Sequence, residues 1–199
     1  MTDIDQWVDA ARSGEGWAFE RLWLQFSGQV AGYLRARGVR AVEDVTSEVF
    51  LAAFQGIRRF EGGESAFRSW LFTIAHHQGV DDVRRGRRDH LTLVEDATED
   101  APAATATPSA EDQALGDTEL RGWLDLLPTT QRDVIWLRFV VDLSVEEVAK
   151  VLGQSPGAVK QLQHRGIARL RRHLGHHPDG ATSSPPVTSS TLLTIAEPR

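Results

Sequence analysis

The segment from Leu127 to Leu174, LPTTQRDVIWLRFVVDLSVEEVAKVLGQSPGAVKQLQHRGIARLRRHL, leaves its backbone few choices. Ser144, three residues before Glu147, predicts a capping box. The hydroxyl accepts an otherwise orphaned N–H of the first helical turn, and the carboxylate accepts the N–H of the cap itself. Val148, Ala149 and Leu152 give the following short helix its apolar stripe, and Gly153 ends it where a positive φ is cheapest. Ser155-Pro156 opens a second helix, with the hydroxyl as cap and the proline at the first helical position, where its missing N–H costs nothing. Two short helices joined by a tight turn make a helix-turn-helix.

The faces of the second helix decide its use. At about 100° per residue, Val159, Leu162, Gly166 and Leu170 share the packed side. Gly157, Lys160, Gln161, His164, Arg165 and Ala168 share the other. Donors, a long amide and small residues on one face suit close approach to a DNA major groove. Arg169, Arg171 and Arg172 follow toward the C-terminal end, where they can reach phosphates and complement the helix dipole.

A DNA-binding segment sits oddly in a chain with 22 basic and 28 acidic residues, net −6, until the charges are mapped. From Leu91 to Leu120 there is no Lys or Arg, while Glu95, Asp96, Glu99, Asp100, Glu111, Asp112, Asp117 and Glu119 are acidic. The basic residues gather at Arg84, Arg85, Arg87 and Arg88, and again from Lys160 to Arg172. Net charge therefore hides two basic patches separated by an acidic strip. That strip could screen the patches, but as a solvated, extended tether it has the simpler reading.

With no cysteine in 199 residues, disulfides, thiol chemistry and Cys-based zinc sites are excluded. No apolar run approaches a membrane span, and MTDIDQWVDAARSGEG lacks a signal-peptide pattern, so a cytoplasmic chain without membrane insertion is expected. No metal-ligand spacing, phosphate loop, nucleophile motif or carboxylate pair stands out, so no catalytic residue, metal or cofactor is expected.

Composition divides the chain. Residues 1–90 are patterned as helix, 91–116 read as a flexible acidic linker, 117–174 are helical again, and 175–199, Ser-, Thr- and Pro-rich, read as a disordered tail. The expected fold class is all-α: two small helical domains on a tether. In the first, VEDVTSEVFLAAFQGIRRF places Val42, Val45, Val49, Ala53 and Ile57 on one stripe. Glu43, Asp44, Ser47, Glu48 and Gln55 make its acidic side. After the loop EGGES comes AFRSWLFTIAHHQGVDDVRRGRR, a helix that begins with aromatics and ends with four arginines. Rings to stack bases and cations to track a backbone suit single-stranded nucleic acid. Trp70, Leu71 and Ile74 nevertheless read as core before base platform, and Arg84 to Arg88 as phosphate contacts before base readers.

In order, VEDVTSEVFLAAF, FRSWLFTIAHHQGVDDVRR and LPTTQRDVIWLRFVVDLSVEEVAKVLG…GAVKQLQHRGIARLRR resemble a bacterial RNA polymerase sigma factor of the sigma-70 family. The likeness is to the small extracytoplasmic-function (ECF, group IV) type, actinobacterial in flavour, which keeps regions 2 and 4. It covers about residues 5–174.

The resemblance implies roles by position. Asp44, Ser47, Glu48, Phe50 and Gln55 match the surface that docks on the clamp helices of the largest polymerase subunit. Gly63, Glu64, Ser65, Phe67, Arg68, His77, Arg84, Arg85, Arg87 and Arg88 match the part that reads the −10 element as single strand; the loop Gly62 to Ser65 and the helix Phe67 to Arg88 together match the part that opens it and captures a flipped base. Ser155, Gly157, Lys160, Gln161, His164, Arg165, Arg169, Arg171 and Arg172 match the reader of the duplex −35 element. Core RNA polymerase (clamp and the flap of the second-largest subunit), promoter DNA and an anti-sigma factor are the implied partners. The chain departs from the family pattern at two places: His77 stands where Asn is common, and VKQLQHRG replaces the common VKSRLHRA. Two rival classes stay open on sequence alone. One is a stand-alone helix-turn-helix regulator of duplex operators, the other a scaffold whose helices make only protein contacts.

Overall fold

The computed structural model describes residues 2–94 and 122–174, with side chains for 2–86 and 122–173. Every regular element among them is helical: α1 (Asp3–Arg12), α2 (Gly16–Ala36), α3 (Val42–Gly56), a 3-10 turn (Ile57–Arg59), α4 (Glu64–Val94), α5 (described at residues 122–125), α6 (Thr129–Phe139), α7 (Val145–Leu152) and α8 (Pro156–Leu174).

Local chemistry sets the boundaries. Thr2 and Asp5 form a capping box at the start of α1. In α7 the Ser144 hydroxyl accepts from Glu147 N at 3.2 Å, and Ser144 N donates to Glu147 Oε2 at 2.7 Å. Gly153 closes that helix at φ +61°. Ser155 Oγ accepts from Ala158 N at 3.2 Å ahead of Pro156. Each punctuation mark read from the sequence of the helix-turn-helix is thus present.

The first half packs α1, α2, α3 and α4 around an aromatic core. Phe19 meets Phe54 and Trp23 meets Phe50 at 4.6 and 4.7 Å between ring centroids, pinning α2 to α3. Phe60 stacks on Trp70 at 5.0 Å and holds the chain leading into α4. Val42, Val45, Val49, Ala53 and Ile57 are all buried, as their spacing predicts. In the second half, α6, α7 and α8 close on Val134, Leu137, Leu143, Val148, Val151 and Val159.

Two expectations need correction. Glu64 and Ser65 belong to the first turn of α4, so the loop is shorter than EGGES. The helix also continues to Val94, four residues into the stretch read as tether, because no breaker interrupts DHLTLV. The two helical halves expected from the sequence are present, and their buried residues fall in one hydrophobic cluster. The rest of the acidic linker and the tail lie outside the described residues.

Candidate nucleic-acid interface

The helix-turn-helix is held rigidly from behind. Arg138 Nε donates to Gln163 Oε1 of α8 at 3.3 Å, and Arg138 Nη1 donates to the carbonyl of Leu143 in the turn. Gly166 lets α8 approach α6 closely; a Cβ there would lie 3.1 Å from the Ile135 side chain. With Val159, Gly166 and Leu170 buried, Ser155, Gly157, Lys160, Gln161, His164, Arg165 and Arg169 are exposed together on the outer side. Arg171 and Arg172 are exposed in the last turn. The residues expected to read a groove therefore share one solvent-facing surface on a helix whose orientation is fixed.

The start of α4 is braced by α1. Asp5 Oδ1 accepts from Glu64 N at 2.7 Å, and Asp5 Oδ2 accepts from Thr2 N at 2.9 Å. These backbone bonds from Thr2 and Glu64 hold the Asp5 carboxyl below its usual range. Gly63 is exposed, and a Cβ there would lie 2.8 Å from Asp5 Oδ1. Glu64 pairs with Arg68 one turn on, both half-buried. His77, Arg84 and Arg85 are exposed further along α4. Arg87 and Arg88 lie on helical backbone, their side chains outside the described residues. Phe67, fully buried against Phe26 and Phe60, is core and cannot meet a base in this arrangement.

On α3, Asp44, Ser47, Glu48 and Gln55 line one exposed face. Phe50 does not join them; at 1% exposure it packs on Trp23 and Phe54, because its position falls on the stripe facing α2. Its place is taken by Leu51, 58% exposed. Positions 44, 47, 48, 51 and 55 are the spacing of a single helix face, so Leu51 was legible. Leu24, 66% exposed, and Trp17, 51% exposed, add apolar surface on α2.

A group of ionisable residues lies where the two halves meet. Arg37, at the end of α2, forms an ion pair with Asp133 of α6, the side chains 9% and 5% exposed. Tyr33 Oη lies 2.9 Å from His76 Nδ1, and Arg37 Nη1 lies 3.3 Å from the same nitrogen. With Arg37 able only to donate, Nδ1 is the acceptor. Burial and the Arg37 charge hold His76 down to about 4, so its ring is neutral near pH 7. Burial pushes Asp133 up against the pull of Arg37. Nothing in the local sequence signals this group, because Arg37 and Asp133 lie 96 positions apart and Tyr33 and His76 lie 43 apart.

Among the described residues no His, Asp or Glu cluster could hold a metal, and no helix is long and apolar enough to cross a membrane.

Comparison with known proteins agrees with this geometry. The family described as sigma-70 region 2 matches residues 22–89, and that described as sigma-70, region 4 matches residues 123–172. The ECF RNA polymerase sigma factor BldN of Streptomyces coelicolor is 36% identical over 181 residues, which cover 87% of this chain and 66% of BldN. The ECF RNA polymerase sigma factor SigD of Mycobacterium tuberculosis is 32% identical over 175 residues, covering 84% of this chain and 82% of SigD. CnrH, solved in complex with the cytosolic domain of CnrY, matches with a TM-score of 0.60 at 27% identity, over 88% of this chain and 100% of CnrH. The sigma factor RpoE of Bartonella quintana, solved with the anti-sigma factor NepR, shares the fold at a TM-score of 0.61 and 21% identity, over 80% and 98% of the two chains. Two sigma-70 regions in order, with relatives of this kind matching along more than four-fifths of its length, place the chain in the extracytoplasmic-function group of RNA polymerase sigma factors.

Proposed function

We propose that this chain chooses promoters for core RNA polymerase, reading the −35 element as duplex through α8 and opening the −10 element along α4. The observation that carries the reading is the outer face of α8. Lys160, Gln161, His164 and Arg165 are all exposed there, on a helix capped at its start and clamped from behind by Arg138. Side chains in the groove supply discrimination of about 1–3 kcal/mol per good base contact, while Arg169, Arg171 and Arg172 supply sequence-blind phosphate affinity. On α4, Arg84, Arg85, Arg87 and Arg88 follow the backbone of the separated strand, and the short loop at Gly63 holds the N-terminus of the helix against it. Unpairing a base costs a few kcal/mol, which stacking and backbone contacts offset without hydrolysis. The protein thus acts by binding and not by catalysis.

The acidic stripe of Asp44, Ser47, Glu48 and Gln55, with Leu51 at its centre, is the surface we assign to the clamp helices of the largest subunit. The helix-turn-helix half would meet the flap of the second-largest subunit. An anti-sigma factor is the expected antagonist, as NepR is the anti-sigma factor solved with RpoE of Bartonella quintana. Polymerase and promoter place the work in the cytoplasm. We assign residues 1–90 and 117–174 to the two working halves and 91–116 to the link between them.

Transcription in vitro from a pool of genomic promoters, with sigma-free core polymerase, tests the reading. New sequence-specific start sites that appear only when the protein is added are the expected result. No new starts, together with tight binding of the protein alone to duplex DNA, would favour a stand-alone helix-turn-helix regulator.

A further inference from the structure

We infer that region 4 of this chain is the resident occupant of its own −10 surface: α7 docks on α4, locked by the Arg37–Asp133 pair, and the free protein is closed until something separates the halves. The inference rests on the assignment of α4 as the −10 helix, and it adds how access to that helix is controlled.

The contact begins at the first turn of α4. The Ser65 hydroxyl, in the loop-proximal part of the −10 surface, donates to Oε1 of Glu147, whose other oxygen caps α7. Burial raises Glu147, but the hydrogen bonds from Ser65 and Ser144 outweigh it and leave the carboxyl below its usual range. One carboxylate therefore both builds the helix-turn-helix and covers a −10 residue. Farther along, α4 and α7 enclose a cleft of about 310 Å³, with His77, Asp81 and Arg84 on one wall and Lys150 and Gly153 on the other. His77 and Arg84 are among the residues assigned to the single strand, so region 4 lies across the path that strand would take.

Beneath α7 the halves are fastened by chemistry that makes no sense for two independent domains. Arg132 Nη1 donates to the carbonyl of Ala36 at 2.6 Å, supplying a partner for an orphan acceptor in the last turn of α2. Trp136 lies over Gly32, where a Cβ would come within 2.6 Å of the indole ring. The ion pair of Arg37 and Asp133 completes the seam, with Tyr33 and His76 against it. A buried charge left without its partner is strongly unfavourable, so the pair sets the register of the two surfaces.

The seam is also built to release. Arg37 Nε and Trp136 Nε1 are buried without a hydrogen-bond partner, a cost that opening removes. Both charges of the pair regain water when the halves part, so opening leaves no unpaired charge in an apolar interior. Meanwhile Lys160, Gln161, His164 and Arg165 stay exposed in the closed form. The free chain therefore offers its −35 face and withholds its −10 face.

The absence of cysteine makes a distance test direct. Glu20→Cys on α2 and Glu146→Cys on α7, both exposed positions, carry a donor and an acceptor dye on the full chain. The unsubstituted seam should give one high-transfer population. Arg37→Glu, which faces Asp133 with a like charge, should lower transfer and raise affinity for a random-sequence 20-nucleotide DNA single strand at least tenfold. Adding Asp133→Arg to it should restore both readouts. Gly32→Leu gives an independent wedge, because leucine favours helix α2 yet cannot share space with Trp136. It should also lower transfer, with helical circular dichroism retained. Unchanged transfer and single-strand affinity in both Arg37→Glu and Gly32→Leu would overturn the closure. Lowered transfer with no gain in single-strand affinity would overturn the masking of the −10 surface. Neither readout uses polymerase, so failure of promoter-specific transcription would count against the sigma assignment and leave the closure standing.

Discussion

Asp5 shows how one side chain can serve two elements. It caps α1 through Thr2 and the N-terminus of α4 through Glu64, 59 positions away. Asp5→Ala should lower the melting temperature and, in transcription assays, reduce opening at the −10 element more than binding to a −35 duplex. Equal losses in both would make Asp5 a stability residue alone. On α8, His164→Ala and Gln161→Ala should each change preference at one −35 base by about 1–3 kcal/mol. Arg169→Ala should weaken binding by a similar factor on every sequence and flatten its salt dependence. A mutational scan of the −35 duplex separates the two outcomes. Phe50 and Phe67 carry the residue-scale lesson: resemblance marked them as contact positions, yet both are buried. A family position says which residue is used, and only packing says whether it is used as surface or as core.

At the scale of elements, α7 depends on its ends. Eight residues are too few to hold a helix by propensity, so the Ser144–Glu147 box and the left-handed Gly153 fix its length. Gly153→Val should cost about 1–2 kcal/mol through the positive φ it would have to adopt. That loss is readable as a lower denaturant midpoint with unchanged slope. The contact of α2 and α4 with α6 also carries a pH dependence. His76 titrates lower here than in an unfolded chain, so the unfolded state binds more protons between about 4 and the ordinary imidazole value near 6.5. Its contribution to stability is therefore full above that window and is lost as pH falls through it. Arg37, Tyr33, Asp133 and His77 all surround or neighbour the ring, and Asp133, pushed up by burial, acts in the opposite sense. Comparing melting temperatures of wild type and His76→Gln from pH 7 to pH 5 isolates the imidazole. The wild type should lose more stability over that range than the variant does.

Among the described residues the two halves share one hydrophobic cluster and a buried ion pair. A single cooperative transition is expected by calorimetry, since region 4 alone leaves Trp136 and Asp133 facing water. Arg37→Glu should split that transition into two, one for each half. Two transitions already present in the wild type would mean that the seam adds nothing to folding. The net charge of −6 conceals this organisation, since attraction to DNA comes from local faces and not from the sum.

Sequence alone determined the helix-turn-helix, its caps and turn, the outward residues of α8, the buried stripe of α3 and the family. Each of these rests on neighbours within about four positions, where backbone hydrogen bonding and helical period act directly. It also held Leu51 in plain view, at a spacing that completes the α3 face. Tertiary structure alone decided that Asp5 braces α4, that Phe50 and Phe67 are interior, that Arg37 meets Asp133, and that α7 lies against the first turn of α4. Those facts depend on which surfaces meet far along the chain, 59 positions apart for Asp5 and Glu64 and 96 for Arg37 and Asp133. An isolated Asp or Arg has no local preference that reveals its distant partner; burial and the need to satisfy a desolvated charge select it only once the halves have packed.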